Sequence, residues 1–126
     1  SINAIDWRRK MEHADVFAYY KGLIQLRKNH PAFRLGDADL VRRHLEFLPL
    51  EGSNVVAYHL KENAGGDAWG DIYVILNSRK EIAKVPVPEG RYTVVCKDGF
   101  ISEQGLGTIY GPEVFVPAQS ALIFYK

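Results

Sequence analysis

From Leu45 to Tyr125 short runs rich in Val, Ile, Tyr and Phe alternate with clusters of Gly, Pro, Asn and Asp, and no other feature of the chain constrains its fold as tightly. β-branched and aromatic side chains suit a pleated, half-buried surface, while Gly, Pro and Asx residues supply the reversals between strands. The pattern predicts strands over Leu45–Leu50, Val55–Lys61, Asp71–Asn77, Ala83–Val87, Arg91–Lys97, Glu113–Val116 and Ala121–Tyr125. Turns are expected at Glu51-Gly52-Ser53-Asn54, Pro88-Glu89-Gly90 and Pro117-Ala118-Gln119-Ser120, with Asn63 to Gly70 as a longer, mobile connection. Strands at this spacing imply an antiparallel β-sandwich.

Ahead of the strands the period is different. Val16, Phe17, Tyr20, Leu23 and Ile24 recur every three or four residues, the repeat of one helix face, which predicts a helix over Asp15–His30. Asp15 is placed to cap its start, Lys28 and His30 lie where the helix dipole favours cations, and Pro31 stops it. Asp37 repeats the capping chemistry before a short helix, Ala38 to His44, whose Arg42-Arg43-His44 run reads as a solvated face offset by Asp37, Asp39 and Glu46. The fold class is therefore mainly β: a sandwich of about seven strands preceded by one long α-helix and one short helix. A lone amphipathic helix cannot bury its stripe by itself, so it must fold back on the sandwich or meet a partner elsewhere.

At 126 residues the chain is long enough for one domain with a core of its own. Sixteen Lys and Arg against fifteen Asp and Glu leave a net charge of +1, with no broad positive field for a phosphate backbone, which argues against a nucleic-acid partner. No apolar run reaches the roughly 20 residues of a membrane helix. The chain begins at Ser1 rather than at a methionine, which predicts a natural start upstream, so the missing leader leaves the compartment undetermined. The one cysteine, Cys96, lies mid-strand and reads as a small buried hydrophobe.

Few residues suggest chemistry. His13, His30, His44 and His59 are scattered without metal-ligand spacing, and no nucleophile elbow, phosphate loop or dinucleotide fingerprint occurs, so neither metal, cofactor nor catalytic residue is predicted. Asp67 and Asp71, in Gly65-Gly66-Asp67-Ala68-Trp69-Gly70-Asp71, form a nominal acid and base, or a calcium loop. Ordinary turn residues explain them better, because glycoside hydrolysis needs two carboxylates held rigidly across a sugar. An exposed indole stacks well on a glucose ring, so Trp69 with Tyr58 and Tyr73 is a candidate sugar platform; the competing and preferred reading folds Trp69 back over the sandwich edge.

Asn3-Ala4-Ile5-Asp6-Trp7, then Asp15-Val16-Phe17-Ala18-Tyr19-Tyr20-Lys21-Gly22-Leu23-Ile24 and Leu26-Arg27-Lys28-Asn29-His30-Pro31-Ala32-Phe33-Arg34, closely resemble type I pullulanases. These are α-amylase-superfamily glycoside hydrolases in which a (β/α)8 barrel is followed by an antiparallel β domain. The resemblance covers nearly the whole chain, although its specific motif ends at Arg34. It implies that residues 1–35 are the final loop and helix of the barrel and residues 36–126 the C-terminal sandwich. The parent would cleave α-1,6-glucosidic branch points in pullulan, starch or glycogen through a nucleophilic aspartate, an acid/base glutamate and a second aspartate, all on earlier barrel strands that this sequence does not contain. Asn3 and Asp6 match the motif near the substrate-facing rim, where they would hydrogen-bond a glucose unit in the intact enzyme. The expected role is a noncatalytic domain that caps the missing barrel of the same polypeptide, α-glucan being a partner of the parent; the rival is an α-glucan-binding module using Trp69, Tyr58 and Tyr73.

Overall fold

The computed structural model describes residues 14–48, 50 and 54–126, the side chains of residues 14–20 excepted. Asn3, Asp6 and the Glu51–Ser53 part of the first predicted turn lie outside these residues. Helix α1 (Ala14–Asn29) leads into a 3-10 turn (Pro31–Arg34), helix α2 (Ala38–His44) and strands β1 (Leu45–Phe47) and β2 (Val55–Leu60). A second 3-10 turn (Ala64–Gly66) precedes β3 (Ile72–Asn77), β4 (Ala83–Pro86), β5 (Arg91–Lys97), β6 (Phe100–Ile101), β7 (Gly107–Tyr110), β8 (Glu113–Val116) and β9 (Ser120–Tyr125).

Local chemistry accounts for the helix boundaries. Asp15 lies inside α1 rather than before it. Pro31, which cannot continue an α-helix, opens the 3-10 turn. The Asp37 side chain accepts from the Asp39 amide at 2.7 Å and so caps α2. All seven predicted strands form, some with shorter bounds. β6 and β7 are two additions: one is only two residues long, and the other starts at Gly107 in a stretch that reads as loop.

All pairings are antiparallel. One sheet runs β1-β2-β3-β9-β5-β6, with β7 also on β5, and a two-stranded sheet pairs β4 with β8. Alternation sends Ala57, Tyr73, Ile75, Leu122 and Phe124 to one face, where they meet Val85 and Val116 of the small sheet. Leu60, Ile72, Val74 and Ile123 point to the other face, where the cover is helical: Leu26 of α1, Ala32 of the first 3-10 turn and Ala64 of the second. A bulge where β5 pairs with β9 shifts the register between Val94 and Cys96. It lets Val95 and Cys96 both join the helical side while Val94 stays on the sandwich side.

The sheet is thus apolar on both faces, like a middle layer. Its helical-side positions read Val56, Tyr58 and Leu60 on β2, Ile72, Val74 and Leu76 on β3, and Ala121, Ile123 and Tyr125 on β9, with no charged residue among them.

The side chains of Val16, Phe17 and Tyr20 in the expected stripe lie outside the described residues, and the described part of helix α1 docks through other positions. Gly22, Leu26 and His30, spaced by four, turn towards the body: Leu26 and His30 are buried, and a Cβ at Gly22 would sit 2.9 Å from the Ile101 Cβ. Glycine here lets the helix approach β6 closely. Ile24 points outward and is 68% exposed, with Leu23 half-buried. The Leu26→Ala variant should therefore cost about 2–5 kcal/mol by leaving a cavity, and Ile24→Ala should change stability by less than about 0.5 kcal/mol in this chain. Urea unfolding of the two variants checks the docking face; equal losses would contradict it.

Candidate functional site

The helix α1 terminus, the Asn63–Gly70 connection and the segment after β6 converge on His30. Its Nδ1 lies 2.9 Å from Asp67 Oδ1 and its Nε2 lies 2.8 Å from Glu103 Oε1. An ionised carboxylate only accepts, so both contacts are hydrogen bonds together when both ring nitrogens carry protons. Asn29 Nδ2 donates to the second Glu103 oxygen at 3.0 Å.

The Asp67 carboxylate is fully enclosed. Beyond His30 it accepts from the Trp69 amide at 2.9 Å and the Ala32 amide at 3.2 Å. Three donors offset the cost of removing a carboxylate from water. The Asn63–Gly70 stretch is accordingly packed rather than loose. The Asn63 amide donates to the Gly70 carbonyl at 2.9 Å, Asn63 Nδ2 donates to the Asp67 carbonyl at 2.9 Å, and Ala64 is buried. Gly65 has φ +65°, and a Cβ there would come 2.9 Å from the Pro31 carbonyl oxygen, so this connection is pressed against the turn that ends α1.

Trp69 completes the arrangement. One ring face stacks on His30 at 3.6 Å between centroids and another aromatic, Tyr125, stacks on it at 4.0 Å. Both faces of the indole are occupied. The three rings of the candidate sugar platform do not share a surface. Tyr73 is 3% exposed on the sandwich side, against Phe124, whereas Tyr58 and Trp69 lie on the helical side. Opposite parity separates them: Tyr58 pairs with Val74, and Tyr73 with His59.

Asp67 and Asp71 have different partners. Asp71 Oδ1 meets His59 Nε2 at 2.7 Å, and the His59 ring stacks on Tyr73 at 4.2 Å. Burial, followed by the nearby Tyr92 and Asp71, raises the Tyr73 hydroxyl above the usual tyrosine range. Each aspartate is thus engaged by a different histidine. Among the described residues no three His, Cys, Asp or Glu side chains are disposed to hold a metal ion. Cys96 is buried in the sheet.

In the sequence His30 reads as a helix-end cation and Asp67 as a turn residue, and Glu103 carries no signal of its partners. Their separations of 37 and 73 residues carry no local signal. Chemically the site is an anchor: it ties a helix end to two loops and a strand.

Two outcomes follow. Asp67→Ala strands three donors in the interior and should cost about 3–5 kcal/mol in chemical unfolding, where a loss under about 1 kcal/mol would contradict the anchor. Glu103 is held below the usual carboxylate range by its bonds from Asn29 and then His30. A carboxyl lowered in the folded state stabilises above its unfolded value, about 4.3, and that contribution disappears as pH falls through the lowered folded value. The Glu103→Gln variant should therefore lose stability at neutral pH and show a shallower fall below about pH 4.3, as read by thermal unfolding across pH.

Residues 41–99 match the family model described as the pullulanase all-beta domain. A curated pullulanase from Bacillus subtilis (strain 168) is 35% identical over 121 residues, covering 86% of this chain and 17% of that protein. Among solved structures, a pullulanase from Bacillus acidopullulyticus superposes with a TM-score of 0.87 at 40% identity, covering 96% of this chain and 15% of that one. A type I pullulanase from Bacillus subtilis str. 168, complexed with maltose, gives 0.82 at 32% identity over 94% of this chain and 16% of that one. The chain thus spans about a sixth of the length of these relatives. It belongs to the pullulanase family, as a part of a pullulanase that carries the all-beta domain.

Proposed function

We propose that this chain is the noncatalytic C-terminal structural part of a pullulanase-type hydrolase that cleaves α-1,6 branch points in pullulan, starch or glycogen, and that it caps and stabilises the catalytic barrel of the same polypeptide. In this reading residues 1–35 are the last loop and helix of the barrel, residues 36–126 the appended sandwich, and Asn3 and Asp6 contribute to the substrate rim only in the intact enzyme.

The observation that carries it is the two-sided helix α1. Its Gly22–Leu26–His30 face is anchored on the sandwich, while Ile24 on another face is 68% exposed and apolar. A helix so placed suits a shared element, buried on one side by the β domain and available on another to the barrel. The occupied faces of Trp69 and the buried ring of Tyr73 favour this reading over an independent α-glucan-binding module.

Calorimetry of the purified chain with maltotriose and pullulan, coupled to a reducing-sugar assay, is expected to give neither heat nor sugar release. Heat alone would favour the binding module, and sugar release would overturn the proposal. In the full-length polypeptide Ile24→Asp should shorten the half-life of debranching activity on heating, although it is expected to leave the 126-residue chain folded.

A further inference from the structure

We infer that His30 works as a pH-controlled latch: an imidazolium there fastens the end of α1 to the segment after β6, and loss of one ring proton lets that segment go. The contacts lie within this chain, so the inference is independent of the proposed function.

Charge decides which form of the ring the site accepts. Asp67 is enclosed, and apart from His30 its donors are two neutral backbone amides, those of Ala32 and Trp69. Among the described residues no other cationic side chain reaches ion-pairing distance of Asp67 or Glu103. A neutral imidazole has one N–H, so a neutral His30 would turn a lone pair towards a carboxylate oxygen at 2.8 or 2.9 Å. It would also leave two negative groups sharing one site without a counter-charge. With both protons in place each nitrogen donates to a carboxylate, the stronger, charge-assisted kind of hydrogen bond. The remaining charged or titratable groups nearby leave this balance alone. Arg27 and Lys28 on α1 and Arg34 on the first 3-10 turn are exposed and pair with neither carboxylate, β6 has none, and β9 brings Tyr125 only to the far face of Trp69.

The two links are unequal. The Asp67 side chain is 0% exposed and that of Glu103 is 34% exposed. The Nε2 proton therefore lies on the side open to water and is the one that leaves as pH rises, while the Nδ1 proton stays on Asp67. Nε2 then presents its lone pair to Glu103, and repulsion turns that carboxylate outward, which also breaks its bond from Asn29. Folding gives the protonated ring two carboxylates that it lacks when unfolded, so this contribution is present in acid and disappears as pH rises. The Glu103 contribution runs the other way and disappears in acid, so the latch holds only while both groups are charged.

Trp69 makes the ring visible, because a protonated imidazole quenches an indole stacked on it more strongly than a neutral one, and His30 lies 3.6 Å from it. With the other tryptophan removed by Trp7→Phe, Trp69 emission from the 126-residue chain should rise in a step between about pH 5 and about pH 9. Ring-nitrogen NMR of the isotope-labelled histidines should show His30 with two protons before the step and as the Nδ1–H tautomer after it. Across the same step, backbone hydrogen exchange in residues 102–106, corrected for its chemical rate, should quicken at least about ten-fold while that of β3 does not. Glu103→Gln supplies an amide that pairs with a neutral ring, so the emission step should move to lower pH by about one unit or more. Asp71→Asn, which removes the partner of His59, should leave the step in place. The absence of an emission step, a ring that carries one proton throughout, an unmoved step in Glu103→Gln, or exchange that stays level across the step would each overturn the latch.

Discussion

The enclosed carboxylate of Asp67 is the interaction on which the helical half of the molecule depends. A carboxylate without water needs donors, and here they come from three places: the His30 ring at the end of α1, the Ala32 amide in the first 3-10 turn and the Trp69 amide within its own connection. Satisfying one buried charge therefore fixes the relative positions of a helix end, a turn and a loop. Glu103 and Asn29 extend the link to the segment after β6, and the Trp69 stack extends it to Tyr125 on β9. Close approach at Gly22 and burial of Leu26 then supply the apolar contact along the helix.

The sheet behind this anchor is a middle layer. On one side Tyr73, Tyr92 and Phe124 form a cluster of edge-to-face and stacked rings beneath the small β4–β8 sheet. On the other side, among the described residues, Leu26, Ala32 and Ala64 cluster with Leu60 and Ile72, while Val56 and Leu76 are exposed. The bulge in β5 makes the two-sided arrangement possible, because it places two successive residues on the helical side without disturbing the pairs before them.

The candidate site was legible only in pieces. Trp69 stood out as a large aromatic in a glycine-rich stretch, but its neighbours His30 and Tyr125 are 39 and 56 residues away in sequence, so nothing local assigns its two faces. Asp67 reads as an ordinary turn residue because Gly-Gly-Asp commonly is one, and its burial shows only in the fold, where the Pro31–Arg34 turn lies close to Gly65 and the Ala32 amide donates to its carboxylate. Tyr58 and Tyr73 read in the sequence as parts of one platform, and register sets them on opposite faces, a consequence of two-residue periodicity in β2 and β3.

By itself the sequence determined the strand-rich region from Leu45, the end of the long helix at Pro31, the cap at Asp37 and the motif shared with pullulanases. These depend on backbone propensity and side-chain spacing within a few residues, which act without reference to distant chain. Tertiary structure alone decided that α1 docks through Gly22, Leu26 and His30, that His30 joins two carboxylates, and that β6 and β7 complete the sheet. Each of these is a choice among contacts between segments far apart in sequence, made by the free energy of burying particular surfaces and satisfying particular polar atoms, and no local pattern encodes that comparison.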